Sequence, residues 1–491
     1  MGFWFWVGTL STLLVFETDV TKAEDRLGFK HINTYPVSTT QMLIPEQAFN
    51  KLVSLIPKKN AFDSIFKWLG LHEYLDAIFT GEPEHFRMGL GRIEKYGAQG
   101  LTISCAGCHV GTLFGKTVVG MSNRFPRANE FFADGKFALK FSTPEMFELM
   151  TGASPGEKQM FIDMKKASRR IGIVKPQSLG LDTSLAQVAL SLARRNSDEW
   201  ASFNSQLEKS PRADLLDHHV ADSKPAVWWN LKYKTRFLSD GSIVSGDPIF
   251  TNFLWNEIGR GADLRELDQW FKTNEDTIRE LREFVFNTSA PHWSDFFGKG
   301  TINVARARQG SALFHANCAS CHGAYEKNWK TLENILVKYP TPTPVIDVGT
   351  DPGRREGMES LARGLNHLQI SKNFVTVIEV QHGYVPPPLE GIFARFPYFH
   401  NNSVPSLCAV LTLASERPKH YYSRKQIDPQ EDFDSDCVGY PSRKGDRVHF
   451  YDTTQPGQSN SGHDEGVFLK NGQEMYTPDQ KRDIIEFLKT L

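Results

Sequence analysis

Four of the six cysteines stand in two short clusters, Cys105-Ala106-Gly107-Cys108-His109 and Cys318-Ala319-Ser320-Cys321-His322. Both read C-x-x-C-H, the attachment signature of c-type haem. Two thiols one helical turn apart add across the two vinyl groups of a porphyrin, and the adjoining histidine is carried under the ring to bind the iron. With this cysteine and histidine usage, chance placement gives about 0.002 such motifs per chain, so two together are a strong signal. The bland alternatives fit poorly. A zinc ribbon sets its C-x-x-C pairs about 15–20 residues apart, whereas these lie at 105–108 and 318–321. A thioredoxin-like motif needs a βαβ context that neither cluster has.

The elements that must hold these motifs are partly legible. Residues 303–316 have a helical pattern with Gly310 and Phe314 one turn apart, leading into the second motif. At the far end, Thr477-Pro478-Asp479-Gln480 starts a helix, with Thr as N-cap, Pro first and Gln third. Ile484, Ile485, Leu488 and Leu491 then form its apolar stripe. In small c-type cytochromes the first and last helices cross, and a glycine such as Gly310 permits close approach. Between them, 339–344 (YPTPTP), 385–389 (VPPPL) and 434–466 read as loops. Helices are expected at 61–79, 154–170, 184–207 and 275–286, the last ending the first domain. The expected fold class is mainly α, two cytochrome c-type haem domains with long irregular loops and little β. The expected division is 24–294 and 295–491.

Length and composition agree with a globular chain: 491 residues, 40% hydrophobic and 23% charged. A formal charge of −1 at pH 7 gives no basis for nucleic acid or an acidic membrane as partner. Residues 3–16 form one apolar run with the length of a signal-peptide core, and Ala23 precedes a suitable cleavage point. Residues 1–23 are therefore read as a signal peptide, although no Lys or Arg precedes the run, and an uncleaved anchor is the second reading. Export suits haem attachment, which takes place outside the cytoplasm, so the expected location is periplasmic or secreted. In that oxidising compartment the remaining pair, Cys408 and Cys437, is a candidate disulfide, with two buried free thiols as the alternative.

Residues 386–408 (PPPLEGIFARFPYFHNNSVPSLC) and 450–466 (FYDTTQPGQSNSGHDEG) carry a more specific signal. They resemble the G-I-W-A-R-A-P-Y-L-H-N-G-S-V-P-T-L and P-G-N-S-N-x-G-H segments of dihaem enzymes related to bacterial dihaem cytochrome c peroxidases, above all the haem-dependent rubber oxygenases. The similarity extends over about 295–491 and, more loosely, over 95–130, with Asn123-Arg124-Phe125. Phe393, Asn402 and Glu465 stand where that family has Trp, Gly and Tyr. The resemblance implies a six-coordinate second haem on His322, with His463 at the distal position. It also implies a reactive first haem on His109, with dioxygen or peroxide as small-molecule oxidant.

From the residues alone, the distal position of the second haem is open to Met358, His367, His382, His400, His449, His463 and Met475, among which His463 is favoured by its glycine-flanked setting. His400 is assigned instead to holding its loop or a haem propionate. For the first haem the choices are His72, His85, Met88 and Met121. Trp228 and Trp229, with Trp255, are candidate electron relays between the haems; their plainer role is aromatic packing at a domain junction. The acidic stretch 431–436 is a candidate calcium site or simply a solvated loop. The expected cofactors are thus two haem c groups and a candidate calcium ion. The expected function is an exported dihaem oxidoreductase whose second haem relays electrons to or from a redox protein or an organic substrate. The rival is a pure electron-transfer cytochrome, alone or as a subunit of a larger complex. No oligomeric state is implied.

Overall fold

In the computed structural model, residues 27–57, 60–73, 87–195, 200, 214–298, 300–445 and 448–491 are described. The leader read at 1–23, the candidate ligand His85 and the second half of the helix expected over 184–207 lie outside them. Among the described residues no helix is long and apolar enough to cross a membrane.

Helix predominates. It is accompanied, among the described residues, by one three-stranded sheet and six two-stranded ones, all antiparallel. The helix Pro155–Ser168 starts in a reciprocal cap, Ser154 with Glu157, and carries proline in its first turn. The helix Ser184–Ala193 is apolar almost all round, and every residue from Leu185 to Ala193 is buried. It packs between Pro248–Gly259 and Gly353–Leu365. The helix expected over 61–79 is shorter, Ala61–Trp68, stopping before Gly70.

The glycine-containing stretch ahead of the first motif is a β-hairpin, Leu90–Lys95 against Ala98–Ile103. Tyr96 and Gly97 both have positive φ, 56° and 71°, the backbone of a two-residue hairpin turn. The hairpin's last strand delivers the chain to Cys105, with Ser104 N–H bonded to the Gly89 carbonyl at 2.9 Å.

Two large apolar cores draw on both ends of the chain. The first joins Ile32, Leu185, Phe253, Trp255, Leu267 and Leu281 to Met358, Leu361 and Ile370. The second joins Leu113, Met121 and Trp229 to Phe314, Phe393, Tyr421, Ile484 and Phe487. In the second core the helices Val304–Asn317 and Pro478–Lys489 cross at Gly310, so closely that a Cβ there would lie 1.8 Å from the Asp483 carbonyl oxygen. The last helix starts at Thr477 with the reciprocal Thr477–Gln480 cap.

Cys408 and Cys437, 29 residues apart, are joined by a disulfide. Replacing both by alanine is expected to cost about 3–4 kcal/mol, the closure entropy of a loop this long. Denaturant unfolding of the double variant beside the oxidised parent measures it. In the 431–436 stretch the carboxylates serve the loop itself. Asp432 accepts from the N–H groups of Ile427 and Asp428, Asp434 from those of Asp436 and Cys437, and Glu431 pairs with Arg443. Among the described residues no three acidic, histidine or cysteine side chains gather around one point.

Candidate haem sites

The two C-x-x-C-H motifs fold alike. In each, the first cysteine begins a four-residue helix, Ala106–His109 and Ala319–His322, and its carbonyl accepts from the following cysteine and histidine N–H groups. This turn brings both thiols to one side. All four are free. Burial pushes the thiols of Cys105 and Cys108 up, to about 11 and 12, and that of Cys318 up to about 11. Thiol–disulfide exchange needs the opposite shift.

Each histidine is aimed by the same device. His109 Nδ1 lies 2.9 Å from the Ala226 carbonyl oxygen, and His322 Nδ1 lies 2.8 Å from that of Pro387. A carbonyl only accepts, so both rings carry their proton on Nδ1 and present the Nε2 lone pair, the arrangement that orients a metal-binding imidazole. Burial lowers the pKa of both rings, His322 to about 4, which keeps them neutral.

Further clamps surround each motif. Asn123 Nδ2 donates to the carbonyls of Gly70 and Gly107, both at 2.8 Å, and its own N–H bonds the Cys108 carbonyl. At the second motif the Tyr325 hydroxyl donates to the His322 carbonyl and accepts from Leu389 N–H, tying the haem turn to the proline-rich loop.

Of the side chains considered opposite His322, His463 is the one whose ring meets it. The centroids are 6.2 Å apart and the planes inclined by 56°. Two imidazoles bound to one metal through nitrogens at about 2.0 Å put their ring centres roughly 6.3 Å apart, so a haem iron fits between them. His463 is held rigidly. Its φ is +60° after Gly462 at +75°, its N–H bonds the Val348 carbonyl at 2.7 Å, and Arg417 bonds the Gly462 carbonyl. A Cβ on Gly462 would strike the Gly349 carbonyl carbon at 2.3 Å. The Nδ1 of His463 is buried without a partner, and burial lowers the ring's pKa to about 3.

The other candidates are occupied elsewhere. Met358 is in the first core; His367 and His382 are exposed; Met475 is 38% exposed; His449 packs beside Phe125. His400 stacks on Tyr384 at 4.1 Å, with Nε2 buried and unpartnered.

Around His109 the aromatic neighbour is Trp228, stacked at 5.0 Å. His72 and Met88 face each other across a two-residue ladder, His72 held neutral by burial, which brings its pKa to about 4. Met121 packs in the second core, beside Gly111.

The two tryptophans straddle the cores. Trp228 belongs to the first and Trp229 to the second. Trp229 Nε1 donates to the Glu390 carbonyl at 2.9 Å, and Asn230 Nδ2 to that of Pro388 at 2.7 Å. The five residues 226–230 therefore include the His109 anchor, Ala226, and bond the loop that carries the His322 anchor. Trp255 lies in the first core with its N–H unpartnered. Sequence reading missed Ala226, Pro387, Asn123, Tyr325 and Asn230 as parts of the site.

Comparison with known proteins reaches the same place. Residues 383–422 match the family model described as RoxA-like, cytochrome c-like, which implies a haem c and supports a cytochrome c of the RoxA type. The matched segment includes Pro387, the carbonyl anchor of His322. The chain is also similar to two proteins of Sinorhizobium fredii, both named as uncharacterized. It is 28% identical to y4iJ, over 79% of this chain and 76% of that protein. It is 25% identical to y4iM, over 38% of this chain and 49% of that protein.

Proposed function

We propose that the chain is an exported dihaem c-type oxidoreductase in which the haem on Cys105, Cys108 and His109 activates peroxide or dioxygen. Cys318, Cys321, His322 and His463 would hold a second haem, which would supply electron relay. The observation that carries this reading is the repeated device, a C-x-x-C-H turn whose histidine is aimed by a buried backbone carbonyl, with an opposing imidazole at 6.2 Å in the second copy. Bound haem supplies one-electron redox chemistry and a site for the oxidant.

The chain's own residues do the rest. Ala226 and Pro387 fix the tautomer and orientation of the His109 and His322 rings, and His463 would offer a second imidazole to the haem held at Cys318 and Cys321. Trp228 and Trp229, adjacent in the chain, connect the two surroundings: one stacks on His109, the other bonds the loop that anchors His322. That contact supports a relay role for the pair alongside their packing in the two cores. Periplasmic or secreted placement is supported by the Cys408–Cys437 disulfide. The electron partner is a redox protein or an organic substrate.

Mass spectrometry and EPR of the purified protein test the reading. Two added porphyrin masses are expected, with one low-spin haem and one haem whose spectrum changes on adding peroxide. Two low-spin haems indifferent to peroxide, in both oxidised and half-reduced protein, would establish the electron-transfer cytochrome instead.

A further inference from the structure

Three helices, Ala128–Phe141, Pro144–Thr151 and Pro155–Ser168, share a small core of their own. Leu139, Phe161 and Met164 are buried in it, and Phe147 packs against them. Phe147 lies flat on Phe161, with centroids 4.2 Å apart. Each helix therefore has its apolar inner face satisfied.

The same helices carry a second set of large apolar side chains that the core does not use. Phe137, Phe141, Met146, Leu149 and Met150 are exposed, from 50% for Met146 to 87% for Leu149. The Phe137 and Phe141 rings meet edge to face at 5.1 Å. Only Ser142 and Thr143 separate the first helix from the second, so Met146 stands within about 18 Å of Phe141. Single exposed apolar residues are normal on any surface; five gathered on one helical pair mark a site of interaction.

A charged feature adjoins them. Phe137 forms part of the wall of a groove of about 380 Å³, whose lining includes the cations Lys136, Lys140, Lys165 and Arg169 and no carboxylate. Lys165 is set in place by the carbonyls of Leu139, at 2.8 Å, and Ser142, and Lys136 by that of Ile171. The carboxylates of the three helices are engaged elsewhere. Glu130 pairs with Arg127 at 2.7 Å, Asp134 with Lys175 at 2.6 Å and Glu148 with Lys158 at 2.5 Å. Asp163 accepts from the Tyr96 hydroxyl, Glu157 completes its helix cap, and Glu145 bonds Thr143 at its helix start. The whole-chain charge of −1 conceals this local excess of positive charge.

We propose that this face docks the protein on an anionic lipid surface, with Phe137, Phe141 and Leu149 entering the acyl boundary and the four cations meeting headgroup phosphates. Exposed apolar side chains beside basic ones on short helices are the pattern of interfacial binding. The cations set the sign of the lipid charge. The protruding side chains favour lipid over protein, because a protein partner needs a cavity shaped for Leu149 and Phe137, whereas acyl chains yield to any shape. Docking is independent of the haem motifs, none of whose residues line the groove.

Co-sedimentation of the full-length holoprotein with vesicles tests this, using phosphatidylcholine alone or mixed with phosphatidylglycerol. Binding to the mixed vesicles is expected to be at least about tenfold tighter, and to weaken as salt rises. Lys140→Gln with Arg169→Gln should weaken it roughly 25-fold, about fivefold for each charge. Phe137→Ser with Leu149→Ser should weaken it about tenfold on both kinds of vesicle. These side chains are exposed, so unchanged circular dichroism and haem content are expected in both double variants. Equal binding to the two kinds of vesicle would overturn the proposal. So would binding that neither double variant weakens, which would assign attachment to the apolar run at 3–16. A parent that ignores vesicles but takes up inorganic phosphate would make the groove an ion site only. One that ignores vesicles but binds polyglutamate would assign the face to an acidic protein. Self-association that Phe137→Ser with Leu149→Ser abolishes, without vesicle binding, would make it an interface between copies. Each of these three results overturns lipid docking.

Discussion

Replacing His463 by alanine is expected to convert the second haem from low spin to high spin while both haems stay attached. In the proposed reading the thioether bonds come from Cys318 and Cys321, and His322 keeps its Pro387 anchor, so the attachment side is untouched. The distal side changes completely. His463 stands 6.2 Å from His322, the spacing that two ligands of one iron require, and nothing else in the described residues places an imidazole or thioether there. Its backbone is fixed by a left-handed pair, Gly462 and His463, with Gly462 closed against Gly349. Loss of a strong-field imidazole leaves water or nothing on that face. Visible and EPR spectra of the variant read the change directly, and millimolar imidazole added in solution should restore the low-spin form. A second haem that stays low-spin without added ligand would show that another side chain is the sixth ligand. The substitution separates the two roles in the proposal as well. If the first haem alone meets peroxide in the parent, His463→Ala creates a second peroxide-responsive site.

Much of this site was legible because its signals are local. Thiol spacing is written in the chain at 105–109 and 318–322, and the helices at 303–316 and 477–491 announce themselves by period and cap. What was not legible is non-local or carries no residue type. The anchors of His109 and His322 are backbone carbonyls, of Ala226 and Pro387, and any residue there would supply one. Helix Gly353–Leu365 was read with the C-terminal part of the chain, yet it completes the first core through Met358 and Leu361, because the apolar face of Ser184–Ala193 needs a partner that no local pattern names. The hairpin before the first motif did leave a trace. Tyr96-Gly97 sits between two apolar segments, Leu90 to Ile93 and Leu101 to Ile103, where a two-residue turn with positive φ belongs.

The second large effect falls on the scaffold and reaches the haem through it. Gly310→Ala adds a single methyl group, and that methyl would lie 1.8 Å from the Asp483 carbonyl oxygen and 2.8 Å from the Ile484 nitrogen. Both atoms are backbone of the crossing helix, so no rotamer change relieves the clash; the helices Val304–Asn317 and Pro478–Lys489 must separate. Separation opens the contact of Phe314 with Phe487, whose rings are 5.2 Å apart, and uncovers Ile484 and Leu488. A loss on the order of 3 kcal/mol or more is expected, at or above the top of the usual range for overpacking. Gly135→Ala is the matched control. It sits within the helix Ala128–Phe141 with open space where its Cβ would go, and there the better helix propensity of alanine should stabilise by up to about 1 kcal/mol. Denaturant unfolding of the two variants should therefore move in opposite directions. The functional consequence follows from connectivity. Helix Val304–Asn317 runs directly into Cys318, so tilting it displaces the attachment turn from the Pro387 carbonyl and from His463 together. Gly310→Ala should lose haem at the second motif while the first keeps its own. A variant equal to the parent in stability and in haem content would mean that the close crossing of these helices does not hold the second site together.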